Sequence, residues 1–390
     1  MRELIAVNNV AKRKIVILLI LLCITLVGNT NVARAEDKIM KIGLTNNSSS
    51  VEISAKQGIK LETSDGYSLE LTKLTHFQFE KTGQFIRINN YFFASDYISV
   101  TSLGEELLNF KDRNYDGSFK LINNSQGITV VNKVAMTDYL ASVIGSEIDP
   151  NWPLAVLKAQ AVVARTYALR NLNSHASKGY HLSNTIYSQV YKGHHVTTPR
   201  LYQAVRETAG EVLTYQGQLI SAVYHSNAGG KTAQGAVIWG GNHPYLQSVK
   251  SKDHRAPNYQ WEKKYKQEQL IKILTAQGFD LATIEKINLT GRGPSGRARG
   301  VVLTGRNKTI EVDSSDFRFW LDLRSTKFSV TRVNNGYVFK GKGWGHGVGM
   351  SQWGACQMAK EGHAYQEILD HYYQNTKLVK KDVGGIDNEG

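Results

Sequence analysis

Between residues 39 and 71 apolar and polar side chains alternate in short runs: Ile39-Met40-Lys41-Ile42-Gly43-Leu44, Val51-Glu52-Ile53-Ser54 and Tyr67-Ser68-Leu69-Glu70-Leu71, broken by Asn, Ser, Asp and Gly. Period two predicts half-buried strands, and their succession reads as a meander. Residues 118–136 add more strand, with a turn at Asn124-Ser125-Gln126-Gly127 and an apolar run from Ile128 to Val134. The period then changes. Leu140, Val143 and Ile144 recur at helical spacing in a first helix that Thr137 or Asp138 can cap and Gly145 can end. A second helix follows Pro153, capped by Asp149 or Asn151. Its narrow stripe of Leu154, Leu157, Ala161, Ala164 and Ala168 suits close packing and deep burial. Glu147 sits in the elbow between the two, beside the apolar Ile148 and Trp152.

Further on, the pattern predicts a helix over residues 198–208 and a hairpin, 212–215 with 218–225, turning at Gln216-Gly217. The hairpin ends in a polar tip, Tyr224-His225-Ser226-Asn227-Ala228-Gly229-Gly230-Lys231-Thr232, either an ordinary Gly-rich turn or a place where backbone approaches a ligand closely. Residues 262–289 read as an exposed helical pair, and residues 287–335 return to strands. Glycines at 341, 343, 345, 347 and 349 are too many for a strand interior, and Ser351 can cap a following helix. Strands and helices in separate runs predict an α+β chain, with a strand-rich region over 36–117, a mixed core over 118–376 forming a groove, and a disordered tail over 377–390.

Composition narrows the setting. Lys12, Arg13 and Lys14, the apolar run from Ile15 to Val27 and the Ala33-Arg34-Ala35 site have the three parts of a secretory signal, placing the mature chain outside the membrane from Glu36 onward. The run is short of a comfortable bilayer span, although 15–27 can serve as an uncleaved anchor. The full chain carries a formal charge of +14. Five basic residues and one acidic residue leave with the signal, so the mature charge is about +10. For an exported protein this points to anionic wall polymers, glycans or lipid headgroups rather than nucleic acid. Only Cys356 remains after the signal, so no internal disulfide forms. His194-His195, His363 and His371 lack metal-ligand spacing, and no cofactor or catalytic metal is expected. The glycine run lacks the G-K-[ST] ending of a nucleotide cradle.

Glu147 is the leading chemical candidate: desolvation at a rigid junction would raise its pKa toward that of a general acid, the alternative being a solvated Glu near a helix end.

Five segments carry a resemblance to a known family: SEIDPNWPLAVLKAQAVVARTYAL, YHSNAGGKTA, VIWGGNHPYLQSV, SGRARGVVLTG and GKGWGHGVGMSQWGA. In order and spacing they resemble the stage II sporulation protein D and amidase-enhancer family, from about Lys41 to Asn375. The resemblance implies an exported peptidoglycan-acting module. In its sporulation branch this is a lytic transglycosylase that cuts peptide-stripped glycan strands, leaving 1,6-anhydro-muramic acid ends. The family's catalytic Glu maps onto Glu147, with Ile148 in place of the usual Met. On that footing Tyr191, Trp344 and Trp353 offer aromatic faces to sugars, while Ser146, Gln189, His225, Ser226 and Gln352 offer hydrogen bonds. Arg165 steers a muramyl carboxylate or pairs with a buried acid. His346 touches substrate, orients Glu147 or bonds loop carbonyls. The enhancer branch implies a different class, a noncatalytic wall-binding modifier that stimulates an N-acetylmuramoyl-L-alanine amidase.

Overall fold

A computed structural model describes residues 37–382, and residues 39–381 cluster by contact into one unit. The expected secretory signal, 1–35, lies outside the described residues, as do residues 383–390. The architecture is α+β.

The early strands form as the alternation predicts, in two sheets. The first runs, edge to edge, Leu182–Ser183, Ile39–Ser48, Gly127–Ala135, Ser118–Asn124, Tyr97–Ser102, Ile59–Thr63 and Ser68–Leu71. All its pairs are antiparallel except Ile39–Ser48 with Leu182–Ser183. The second sheet orders Arg113–Tyr115, Leu108–Phe110, Ser50–Ser54, His76–Thr82, Phe85–Ile88 and Tyr91–Phe93. Phe110 of the second meets Phe119 of the first edge-on at 6.2 Å. Ile39 pairs with Ala135, so the first strand supports the residue from which the first helix starts.

The helices are α1 (Met136–Glu147), α2 (Leu154–Arg170), α3 (Pro199–Glu207), α4 (Gly235–Trp239), α5 (Gln267–Ala276), α6 (Ser314–Trp320), α7 (Gln352–Lys360) and α8 (Tyr365–Tyr372). Their ends depart from the expected caps. Ala135 and Pro153 occupy the N-cap positions of α1 and α2 without side-chain capping bonds. Gly145 lies inside α1 rather than ending it. A Cβ there would sit 2.3 Å from Val196 O, so glycine is needed for the close approach of the chain leading into α3. The narrow stripe expected on α2 is too narrow: residues 159–166 are buried on every side. Val156, Val162 and Val163 of α2 share a core with Leu213, Val348, Met350, Ala355, Ile368 and Tyr372.

Residues 262–289 are not a helical pair. Strand Gln260–Lys266 precedes α5, and strand Lys286–Thr290 follows. These belong to two three-stranded sheets, one of Gln260–Lys266, Gly336–Lys342 and Phe328–Val333, the other of Lys286–Thr290, Gly300–Thr304 and Thr309–Asp313. They share a core built on Trp261, Leu274, Phe317 and Phe339. The hairpin's second arm is only Gln218–Leu219. Residue 377 opens a strand, Lys377–Lys380, antiparallel to Glu211–Tyr215, rather than a disordered tail. Among the described residues no helix is long and apolar enough to cross a membrane.

Candidate functional site

Glu147 is the last residue of α1. The backbone turns extended at the buried Ile148, whose N–H closes the helix on Ile144 O, and Asp149 Oδ1 accepts from Asn151 N–H (2.8 Å) to bend the chain into α2. The carboxyl is thus fixed at an elbow with buried apolar neighbours on its own helix.

Three other segments close on it. Val190 N–H donates to Glu147 Oε1 (3.1 Å). Tyr139 of α1 donates its hydroxyl to Gln189 Oε1 (3.0 Å), and Gln189 Nε2 donates to Tyr224 Oη (3.2 Å), which leaves the Tyr224 proton to support the carboxylate. Tyr224 and His225 run parallel to Met350 and Ser351, which sets Gln352, first residue of α7, beside the same carboxyl. Burial pushes the Glu147 pKa up, and the Val190, Tyr224 and Gln352 contacts and the Lys192 charge oppose the rise without cancelling it. The result is an acid that keeps its proton above the ordinary Glu range, with polar groups ready to receive the anion.

The two glycine-bearing loops are stitched together behind this carboxyl. Asn227 and Trp344 exchange backbone hydrogen bonds (3.1 and 2.9 Å), and Ala233 N–H donates to Gly347 O (2.7 Å). Buried Asp253 accepts from Ala228 N–H (2.5 Å), Gly230 N–H (2.8 Å) and Ser351 Oγ (3.0 Å). Buried Arg297 donates to Gly345 O (3.1 Å) and Ala228 O (3.2 Å). Its pKa is lowered to about 9 by burial and Arg318, with Asp253 opposing. Gly347 lies directly against that guanidinium: at its φ of +85° an added Cβ would sit 2.1 Å from Arg297 Nε. Ser351 caps α7 by accepting from Gly354 N–H (3.3 Å), as the sequence predicts.

The expected site residues therefore separate into groups. Ser146, Gln189, His225 and Gln352 adjoin Glu147 or its supports. Ser146 Oγ and His225 Nε2 are buried with no hydrogen-bond partner among the described residues, and Gln352 Nε2 lies near Glu147 without closing a hydrogen bond to it. Trp353 packs edge-on against Trp152 at 4.8 Å, and its backbone N–H donates to Ser226 O (3.1 Å). Trp344 is exposed, with Arg324 over its ring at 4.9 Å. His346 packs between His225 (5.5 Å) and Trp239 (5.2 Å), and its Nδ1 accepts from Val348 N–H (3.1 Å). Burial with Arg297 and Arg318 drives it down to about 3, so it is a neutral imidazole at physiological pH.

Two expectations give way. Tyr191 is sealed in a cluster with Tyr115 and Tyr139 and donates to Asn132 Oδ1 (2.6 Å), so it presents no face to a ligand. Arg165 is buried and donates to Val205 O (3.1 Å) and Glu211 O (3.2 Å), tying α2 to α3 and to the strand that follows it rather than steering a carboxylate. The sequence reading passed over Tyr224, Asp253 and Arg297. Tyr224 carries a signal, since it alternates with the inward His225 on a short strand. Asp253 carries none, because its partners are 23 to 98 residues away.

An α+β protein with a half-buried, raised-pKa carboxyl in a helical elbow, braced by paired glycine loops, is the class these features define. Residues 124–215 match the family model described as "Stage II sporulation protein", and residues 242–349 match one described as a domain of unknown function. Stage II sporulation protein D of Bacillus subtilis is 32% identical over 269 residues, which cover 65% of this chain and 77% of that protein. An uncharacterized protein of Brachyspira hyodysenteriae is 34% identical over 269 residues, 68% of this chain and 72% of that one. The amidase enhancer of Bacillus subtilis is 29% identical over 291 residues, 62% of this chain but 40% of the longer relative. The chain belongs to the stage II sporulation protein D and amidase-enhancer family.

Proposed function

We propose that the chain is a peptidoglycan lytic transglycosylase, working outside the membrane on glycan strands stripped of peptides, with Glu147 as its acid and base. The observation that carries this reading is a single carboxyl whose burial favours the protonated form while Val190 N–H, Tyr224 and Gln352 stand ready for the charged one.

The chemistry needs no second carboxylate. Protonated Glu147 gives its proton to the glycosidic oxygen, the C1–O bond breaks, and the leaving strand departs as the alcohol. The carboxylate left behind takes the proton from the sugar's own 6-hydroxyl as that oxygen bonds to C1, closing a 1,6-anhydro ring and restoring the acid. No water is consumed. In this reading Trp344 and Trp353 flank the sugar rings, Ser146, His225, Ser226 and Gln352 donate or accept at the substrate, and Gln189 acts through Tyr224. His346 holds the loop backbone.

A second reading, recruitment or stimulation of an N-acetylmuramoyl-L-alanine amidase, is favoured by the relative that bears the enhancer name. Mass analysis of products from peptide-free strands separates the two. The wild type is expected to release fragments ending in 1,6-anhydro-muramic acid. A folded Glu147→Gln variant is expected to lose about two to four orders of magnitude in rate while still binding strands. Cleavage by the Gln variant at the wild-type rate removes Glu147 from the mechanism. If neither protein cuts but both bind strands and accelerate an amidase, the enhancer reading takes its place.

A further inference from the structure

Away from Glu147, the loop Gly229–Gly230–Lys231 and the sheet of Gln260–Lys266, Phe328–Val333 and Gly336–Lys342 enclose an open recess of about 990 Å³. None of the groups that hold Glu147 lines it. Its charge is lopsided: Lys231, Arg292, Lys327, Lys340 and Lys342 face one carboxylate, Glu262, which already pairs with Lys340 (3.2 Å) and Lys264 (3.1 Å). Lys340 and Lys342 lie two apart on one strand, so both project from the outer face while Phe339 fills the core. Lys327 donates to Gly229 O (2.8 Å) deep in the recess. Burial lowers its pKa, and Arg297, Lys342 and Lys231 press it further down against Asp253. Asp253 is already occupied by Ala228 N–H, Gly230 N–H and Ser351 Oγ. The cations therefore crowd one another, and an entering anion relieves that repulsion.

The shape narrows the ligand. Arg292 directs its guanidinium to Phe328 O (2.8 Å) and Gly296 O (2.5 Å), so it offers no free fork for bidentate capture of one compact anion. Lys231, Lys340 and Lys342 are separate point charges along an open trough, with Lys342 over the Tyr259 ring at 5.6 Å. We infer that this recess is a second binding site, distinct from the Glu147 elbow, for a flexible polyanion whose single phosphate groups recur along one chain and meet the separate lysines one at a time.

A phosphodiester-linked wall polymer has that chemistry, and calorimetric titration of the purified chain with a glycerol-phosphate decamer tests for it, with a glutamate decamer as the carboxylate comparison. The glycerol-phosphate decamer is expected to bind more tightly, with an affinity that falls steeply with salt. Lys340→Gln/Lys342→Gln, both on exposed side chains, is expected to weaken binding about tenfold and flatten the salt dependence. Arg306→Gln/Lys308→Gln removes the same charge from an exposed turn outside the recess and is expected to change neither. Tighter binding of the glutamate decamer overturns the assignment to a phosphodiester chain. Equal weakening by both double variants, or binding of neither decamer, overturns the site. Glu147→Gln is expected to bind the decamers like the wild type, so failure of the cleavage reading and failure of this one remain distinguishable.

Discussion

The elbow at Glu147 and the glycine-rich loop at 341–351 differ in what their residues do. At the elbow a few ordinary side chains, Tyr139, Gln189 and Tyr224, are arranged to tune one carboxyl, with Val190 N–H holding it. In the loop a far denser run of unusual residues is committed largely to architecture. Its backbone is held by Arg297 and the facing strand, its Ser351 hydroxyl by Asp253, and Val348 and Met350 are buried in the core with α2. Density of motif and density of chemistry are therefore different things in this molecule. The loop determines where Gln352 and Tyr224 stand, and the elbow uses them.

That division is testable by asking whether damage to the loop appears as lost stability and damage to the elbow as altered chemistry. Asp253→Asn should have the larger effect on stability. It keeps the shape but sets an NH₂ group against donors from Ala228, Gly230 and Ser351, and loss of charge-assisted bonds to buried donors costs roughly 3 kcal/mol. A denaturant midpoint indistinguishable from wild type would mean the loops hold without it. Gly347→Ala comes next. Strain at positive φ together with a Cβ driven into the Arg297 guanidinium should cost about 2 kcal/mol. Replacing Arg297 in the same chain should recover part of that loss, and a strictly additive double variant would show that the two do not meet.

The same division marks what the sequence disclosed. Periodicity located α1, α2, α3 and most early strands because each buries a regular face. It failed where distant chain overrides local preference. Gly145 looked like a helix stop, yet Val196 O demands a glycine inside the helix. Residues 260–266 were hidden by their charge: Trp261, Lys263 and Tyr265 alternate with Glu262 and Lys264, a strand pattern that reads as a solvated helix when lysines outnumber apolar residues. The elbow that carries Glu147 was legible, because the helical period breaks there. Tyr191 and Arg165 attracted functional readings by residue type, whereas burial gives both a packing role. Asp253 and Arg297 were illegible because their meaning exists only once three separated segments meet.

Tyr224→Phe probes the elbow rather than the fold. Removing the hydroxyl takes away a group that favours ionised Glu147, so the carboxyl's pKa rises further. If Glu147 gives up its proton in the first step, as proposed, the alkaline limb of kcat/KM should move to higher pH, with a loss of about five- to tenfold at neutral pH from the weakened anion. A merely structural Tyr224 would lower the rate without moving the limb, and that result would sever the Tyr139–Gln189–Tyr224 chain from the chemistry.

The smallest effect is the most specific to the elbow. Burial raises the Glu147 pKa above its ordinary 4.5, so the folded chain holds this proton more tightly than the unfolded chain. Below the ordinary value both states are protonated and the side chain carries no ionisation penalty. As pH rises from there through the folded-state value, the stabilising advantage of the protonated form is lost, and above it the desolvated carboxylate weighs against folding. Glu147→Gln has nothing to ionise. Its melting temperature relative to wild type should therefore climb across that window and level off beyond it, a gain in stability opposite in sign to the effect proposed on cleavage. Asp253→Asn should show no such gain. A Glu147→Gln difference that stays flat with pH, or one that turns against the variant as pH rises, would mean that the elbow does not desolvate its carboxyl, and the contrast with the loop would then rest on packing alone.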